Sequence, residues 1–293
     1  MFREDDPRDQ SADPRRDQHR DASRANDAFT KHLALPAGRE REPVDDYRLR
    51  GSEVRTLATV GAFRVVPRHD LEHQSMSTPR ELDRLRQDGL ISTTPYMIGR
   101  QRTTVVTLTK EGLELLEQHR RDSRPDERQA FYSGVARVGE LSHDSRLFAA
   151  YREAQERLMA DGAKVRRIVL ETELKSEYQR FLQEPNRGRH DSVGLPRRDR
   201  EAISKWASER DLPVIRGSVR FPDLRIEYET QDGIAAREDV EVVTENYRGT
   251  HASSTASAGF KCHRVNSTRV GGRQGSAKGG RSRDDRLAEE MLR

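Results

Sequence analysis

The sequence lacks the residues that form disulfides, cysteine-based metal sites or membrane-spanning segments. Its one cysteine, Cys262, excludes an internal disulfide and lacks the partner cysteines of a zinc site. No apolar run approaches the roughly 18 residues that a membrane span needs, and the first residues carry no apolar signal segment. There is no P-loop, dinucleotide fingerprint, nucleophile elbow or His-Glu-x-x-His motif. These absences predict a cytoplasmic protein with no membrane partner, and they disfavour haem, iron–sulfur and structural zinc sites.

Apolar residues are also scarce, at 32% hydrophobic and 5% aromatic, so part of the chain is expected to remain unpacked. Residues 1–48 hold 10 basic and 12 acidic residues with few apolar neighbours, which predicts a disordered leader. Residues 263–293 hold 8 basic and 4 acidic residues together with five glycines. This composition predicts a flexible basic tail.

Charge is plentiful and nearly balanced, with 54 Lys and Arg against 50 Asp and Glu, for a net charge of +4. Such a balance permits a nucleic-acid partner without requiring one. Between the two termini, apolar periodicity predicts two folded units, over 49–124 and 130–262, joined by a polar run. The first unit holds 13 basic and 10 acidic residues. It is therefore the more basic of the two.

The first unit is predicted to contain three helices, a β-hairpin and a closing helix. Ser52 is expected to cap the first helix, and Thr78 followed by Pro79 marks the start of the third. A run rich in β-branched residues over 103–108 predicts the return strand of the hairpin, after which Thr109 caps the closing helix. This is the element order of a winged helix-turn-helix.

The stretch LDRLRQDGLISTTPYMIGRQRTTVVTLTKEGLELLEQHRR resembles the MarR-like winged-helix family. The shared pattern is Leu-x-x-Leu-x-x-x-Gly-Leu-Ile, then an arginine-bearing hairpin tip, then Leu-Thr-x-x-Gly. The resemblance implies a double-stranded DNA partner, the helix over 77–87 in a major groove, and a homodimer that reads two half-sites. It implies DNA contacts by Thr78, Arg80, Glu81 and Arg84 on the helix and by Arg100 and Arg102 at the tip.

A protein-interaction role is the alternative for the same unit. Winged helices also serve as protein-binding modules, and Glu81, Asp83 and Asp88 dilute the positive charge of the predicted DNA-contacting helix. The protein would then be a non-catalytic adaptor for another component of a DNA-processing complex. The sequence leaves both possibilities open.

The second unit is predicted to alternate helices and strands, and two of its strands carry acidic residues. Asp223 opens one strand after Pro222, and Glu241 lies inside the next strand, 18 residues further on. Adjacent strands that bear such carboxylates can hold one hard cation, Mg²⁺ or Mn²⁺, which activates water for phosphodiester hydrolysis. Glu171, where a predicted strand meets a helix, would supply a further carboxylate.

This pattern resembles the PD-(D/E)xK nuclease fold, especially the replication–relaxation type of plasmid and mobile-element proteins. The resemblance implies a metal-dependent endonuclease with Asp223, Glu241 and Glu171 as catalytic residues, the first two as metal ligands. The family places a lysine two residues after the second acid, and this sequence has Val243 there. Lys175 or Lys261 would have to replace it. The alternative is a degenerate nuclease-like unit that serves as an interaction platform.

A third candidate site lies near the end of the second unit. Arg248, His251 and Lys261 stand among small residues, which would allow a phosphate to approach backbone N–H groups. The competing interpretation is a tightly packed loop. His143 and Asp144 form a further pair, for which we predict a structural role. The expected architecture is an α+β winged helix-turn-helix unit followed by an α/β, PD-(D/E)xK-like unit, acting in plasmid or mobile-element replication or mobilisation or in transcriptional regulation.

Overall fold

The computed structural model is a mixed α+β structure. It describes residues 27–73, 76–98, 101–121, 124, 127–136, 140–187, 198–243 and 258–264. Within these ranges there are eight α-helices and eleven β-strands.

The described structure begins at residue 27, within the predicted leader. The first elements are α1 (Asp27–Thr30), β1 (Glu42–Val44) and β2 (Tyr47–Leu49), and the two strands pair antiparallel. The prediction of a disordered leader over 1–48 is therefore wrong for residues 27–48, while residues 1–26 lie outside the described ranges. The few apolar residues of 27–48 are too far apart to form a core of their own, yet Phe29 and Leu33 are buried against later elements.

The next elements follow the order predicted for the first unit. They are α2 (Gly51–Phe63), β3 (Val66–Pro67), α3 (Arg68–His73), α4 (Pro79–Gln87), β4 (Ile91–Ile98), β5 (Gln101–Leu108) and α5 (Lys110–Gln118). The three strands form an antiparallel sheet in the order β3-β5-β4. Thr78 and Thr109 cap α4 and α5 as predicted, each accepting a backbone N–H three residues ahead.

The start of α2 differs from the prediction, because the helix begins at Gly51 rather than after Ser52. The backbone of Gly51 lies so close to the preceding segment that an added Cβ would sit 2.3 Å from the carbonyl oxygen of Ala37. Only glycine fits there. The Ser52 hydroxyl is used elsewhere and donates a hydrogen bond to Glu81.

The second unit is built on a four-stranded sheet flanked by helices. Its elements are α6 (Leu141–Ala160), β6 (Lys164–Leu170), α7 (Glu171–Gln183), a 3-10 turn (Glu184–Asn186), α8 (Arg200–Ser208), β7 (Val214–Ile215), β8 (Ser218–Val219), β9 (Leu224–Glu229), β10 (Ala235–Val243) and β11 (Lys261–Arg264). The sheet order is β11-β10-β9-β6, antiparallel except for the parallel pair β10–β11. Because β11 extends to Arg264, the predicted basic tail over 263–293 begins inside a strand.

The two faces of this sheet belong to different clusters. Leu224, Ile226 and Val240 are buried in the large core on the side of α6. Val169 points the other way and packs with Leu174 and Trp206 beneath α7 and α8. This alternation follows from the period-two geometry of strands.

The two predicted units share one continuous core. The ring of Phe63, at the end of α2, lies 5.7 Å from that of Phe29, 5.2 Å from that of Phe148 and 5.1 Å from that of Tyr151, measured between centroids. All four side chains are buried. The units are therefore packed together, although a polar run separates them in sequence.

No helix in the described ranges is both long enough and apolar enough to cross a membrane.

We expect Phe63→Ala to lower the free energy of unfolding by about 3–5 kcal/mol, because it opens a cavity in the shared core. The effect should reach the far side of the second unit. Trp206 is the single tryptophan, so its fluorescence reports that unit in urea unfolding, while far-UV circular dichroism reports the whole chain. Both midpoints should shift together.

Met97→Ala is the control, since that side chain is 50% exposed and should change stability little. A Trp206 transition that stays at its original midpoint in Phe63→Ala would show that the two units unfold independently.

Candidate functional site

The N-terminus of α4 is held by a reciprocal pair of hydrogen bonds. The Thr78 hydroxyl accepts from the backbone N–H of Glu81 at 3.3 Å, and the Glu81 carboxylate accepts from the backbone N–H of Thr78 at 2.7 Å. Pro79 occupies the first helical position, where its missing N–H costs nothing. The local sequence Thr-Pro-Arg-Glu is the capping-box pattern, and it determines where α4 begins.

Glu81 is buried and joins α4 to α2. Its carboxylate accepts hydrogen bonds from Arg50 at 2.7 Å and from the Ser52 hydroxyl at 2.5 Å. Burial alone would raise the pKa of Glu81, but the hydrogen bonds from Ser52 and Thr78 and the charge of Arg50 outweigh it and lower the pKa. The prediction that Glu81 faces DNA is wrong, because a buried, fully bonded carboxylate cannot reach a base.

A second buried carboxylate extends this arrangement to the N-terminal segment. Glu53 is completely buried and receives three hydrogen bonds from the Arg41 guanidinium, at 2.6, 3.1 and 3.2 Å. It also accepts the backbone N–H of Arg50 at 3.1 Å. Glu53 and Glu81 thus connect the segment before β1, the start of α2 and the start of α4.

The other acids of α4 lie close to arginines. Asp83 is 3.4 Å from Arg68, and Asp88 is 3.5 Å from Arg84, one turn earlier in the helix. Among the described residues, Arg80 and Arg86 are exposed and their side chains make no ion pair or hydrogen bond. Arg80 and Arg84 are four residues apart, so they share one face of α4.

The structure describes one of the two arginines predicted at the tip of the β4–β5 hairpin. Arg102 is exposed on β5 opposite Met97, and its side chain has no ion pair among the residues that the structure describes. Arg100 lies outside the described residues. The described part of the hairpin therefore carries one cation, Arg102, and the exposed apolar side chains of Pro95 and Met97.

The three predicted catalytic acids lie in one row across the sheet of the second unit. Leu170 pairs with Leu224, and Leu224 pairs with Val240, so Glu171, at the start of α7, Asp223, just before β9, and Glu241, in β10, occupy the next positions along the row. The backbone N–H of Glu171 donates to the carbonyl of Asp223 at 3.1 Å. The backbone thus brings the predicted residues together.

Their side chains have other partners. The Asp223 carboxylate accepts the backbone N–H of Val242 at 2.8 Å and lies 3.0 Å from Nε2 of His143. Glu171 pairs with Lys175 at 2.6 Å. Glu241 is buried within β10, and no three acidic, histidine or cysteine side chains of the described residues are grouped to hold a metal ion. A metal site at Asp223 and Glu241, with Mg²⁺ or Mn²⁺, remains a prediction.

His143 is the residue of this region that the sequence did not connect to the acids. It lies in the first turn of α6, with Nδ1 3.4 Å from Asp144 and Nε2 3.0 Å from Asp223. Burial lowers the pKa of His143, but its hydrogen bonds to Asp144 and Asp223 and the charges of these carboxylates raise it to about 10 overall. His143 is therefore cationic at neutral pH and ties α6 to the start of β9.

Of the predicted phosphate-binding residues, Arg248 and His251 lie outside the described residues. Lys261, on β11, pairs with Glu238 at 2.5 Å, and the other oxygen of that buried carboxylate receives Arg157 at 2.7 Å. Lys261 therefore serves to neutralise a buried acid on the neighbouring strand, a role that its sequence context did not indicate.

Comparison of the chain with protein-family models, curated proteins and solved structures found no match.

Glu81→Gln should make the free energy of unfolding depend less steeply on pH in the acid range. Because the pKa of Glu81 is lowered in the folded protein, its contribution is present above the usual value of 4.5 and is lost as pH falls through the lowered value. Urea unfolding at a series of pH values measures this loss. Glu111→Gln, an exposed acid in the first turn of α5, is the matched control. If Glu81→Gln loses stability at acid pH as steeply as the wild type and Glu111→Gln do, the Glu81 carboxylate does not stabilise the start of α4.

Asp223→Asn should lower the pKa of His143 from about 10, since it removes one of the two carboxylates that stabilise the imidazolium. With a raised folded-state pKa, His143 contributes stability fully below about 6.5, and the contribution is lost as pH rises toward about 10. NMR titration of the His143 ring, assigned with His143→Gln, measures the shift. Asp232→Asn, in the exposed β9–β10 turn, should leave the titration unchanged.

Proposed function

We propose that the protein binds double-stranded DNA through the unit over 49–124, with α4 in the major groove and the β4–β5 hairpin against the adjacent backbone or minor groove. The element order from α2 to α5, with a three-stranded sheet, supports a winged helix-turn-helix. The outward face of α4 and the hairpin then contact the same duplex.

The observation that carries the proposal is the charge distribution of α4. Its three acids are neutralised from within the protein, with Glu81 bonded to Arg50, Asp83 near Arg68 and Asp88 near Arg84. These arginines offset part of the negative charge that dilutes the helix in the sequence, although Asp83 stays half exposed and shares Arg68 with Glu72.

The cations that remain on this surface have no carboxylate partner in the described part of the chain. They are Arg80, Arg86 and Arg102. Arginines of this kind neutralise phosphates and release counterions, which makes binding strongly dependent on salt. Thr78, an exposed residue at the N-terminus of α4, is a candidate for a further phosphate contact.

The buried carboxylates support the proposal in a second way. A major-groove reader must hold its helix rigidly, since base contacts depend on orientation. Glu81 and Glu53 supply that rigidity by linking α4 to α2 and to Arg41. The resemblance to the MarR-like winged-helix family favours a homodimer that reads two half-sites. The second unit would then serve as a non-catalytic interaction platform.

Arg80→Ala combined with Arg102→Ala should weaken DNA binding and reduce the slope of log affinity against log salt by roughly 2, about one unit for each lost phosphate contact. A salt titration of the binding constant on duplex DNA measures both quantities. Arg84 is left intact, because its removal would also expose the charge of Asp88.

Arg200→Ala is the matched control, since Arg200 is an exposed helical arginine of the second unit. It should leave the slope unchanged. An unchanged affinity and slope in the double variant would reject DNA binding by this surface and favour the adaptor alternative. Cleavage of supercoiled plasmid that requires Mg²⁺ or Mn²⁺ and disappears in Asp223→Ala would instead identify an endonuclease.

A further inference from the structure

A pocket opens beside the first residues of β6, on the second unit and away from the predicted catalytic row. Its volume is about 650 Å³, within the range of small-molecule sites. The segment after α1 forms one wall with Lys31 and His32, and β9 and β10 form another with Tyr228 and Ala236. Arg166 of β6 lies between them. We call this cavity the β6 pocket.

The β6 strand is irregular at this point. Its pairing with β9 shifts register between Val165 and Arg167, so Arg166 is the extra residue of a β-bulge. A bulge changes the direction of a side chain relative to the regular strand. Arg166 lines the pocket, is 63% exposed and forms an ion pair with Glu229.

Lys31 is the cation of the β6 pocket without a carboxylate partner in the described part of the chain. Its ammonium donates to the carbonyl oxygen of Val165 at 3.2 Å, which leaves further N–H donors. The other charged groups of the lining are largely paired: Glu227 with Arg167, Glu229 with Arg166, and Arg237 with Asp211. Glu127 also lines the pocket and is exposed.

The electrostatics of the wall favour an anion at this point. Burial of the Lys31 ammonium, with the nearby charge of Arg166, lowers its pKa to about 8. Burial likewise lowers the pKa of His32, whose ring lies 3.1 Å from the carbonyl oxygen of Arg166. Lys31 and Arg166 repel each other, and Glu229 pairs with Arg166 alone, so an oxyanion beside the Lys31 ammonium would relieve the remaining repulsion.

We propose that the β6 pocket binds a small molecule carrying a phosphate or carboxylate group, which Lys31 and Arg166 hold by charge-assisted hydrogen bonds. Tyr228 of β9 and the two alanines of β10, Ala235 and Ala236, would contact the rest of the molecule. This site is independent of the DNA-binding surface, and its test uses no DNA.

The proposal has a defined pH dependence. An oxyanion stabilises the charged ammonium, so binding raises the pKa of Lys31 and the affinity falls as pH rises through about 8. His32, the carboxylates of Glu127, Glu227 and Glu229, and the guanidinium groups of Arg166, Arg167 and Arg237 also face this space. The lowered pKa of His32 makes its ring neutral over this range.

Sulfate is the first probe, because its charge is constant over this range, and acetate tests the carboxylate source. Calorimetric titration of the full chain at constant ionic strength should show saturable binding of at least one of them. Lys31→Met should weaken that binding about tenfold, the loss expected for one charge-assisted hydrogen bond. Lys31→Arg should keep the binding and remove its decline above pH 8, since arginine stays charged.

Lys164→Met is the matched control, because Lys164 is an exposed lysine of the same strand. Lysine acetylation followed by mass spectrometry gives a second measurement on the wild type. The bound anion should slow modification of Lys31 relative to the other six lysines. The proposal is rejected if neither anion binds, if Lys31→Met binds as well as the wild type, or if Lys31 is not protected relative to Lys164.

Discussion

The packing of Phe63 against Phe29, Phe148 and Tyr151 is the interaction on which the rest of the structure depends. Phe63 ends α2, and its ring contacts residues of the N-terminal segment and of α6, which lies on the sheet of the second unit. Aromatic side chains bury large areas, so a cluster of four is enough to join segments that are individually poor in apolar residues. It explains how a chain with 5% aromatic residues still builds a continuous core, and why part of the supposed leader is folded.

Buried carboxylates then determine the orientation of α4 within that framework. An ionised acid in a low-dielectric interior needs charged and hydrogen-bonding partners, and Glu53 and Glu81 obtain them from Arg41, Arg50 and Ser52. The acids of the first unit therefore have a structural purpose. They position the exposed arginines of α4, and the proposed DNA-binding surface depends on them although they do not belong to it.

In the second unit, strand register and side-chain contacts describe the predicted catalytic residues differently. Glu171, Asp223 and Glu241 occupy one row, as a shared metal site would require, but Asp223 is bonded to His143 and Val242. Backbone pairing decides which residues are neighbours, and side-chain direction decides which atoms meet. The residues of the proposed anion site in the β6 pocket lie far apart in sequence and belong to no sequence motif, so only the structure brings them together.

The sequence by itself determined the features that depend on neighbouring residues. Thr78 with Glu81, and Thr109, mark helix starts because a cap satisfies N–H groups within one turn, and the β-branched run of β5 predicts its strand. Only the tertiary structure decided the pairing of Arg50 with Glu81, 31 residues apart, and that of Lys261 with Glu238. Such contacts form where distant elements pack together, and a buried charge selects its partner by proximity in the folded state, which leaves no local pattern in the chain.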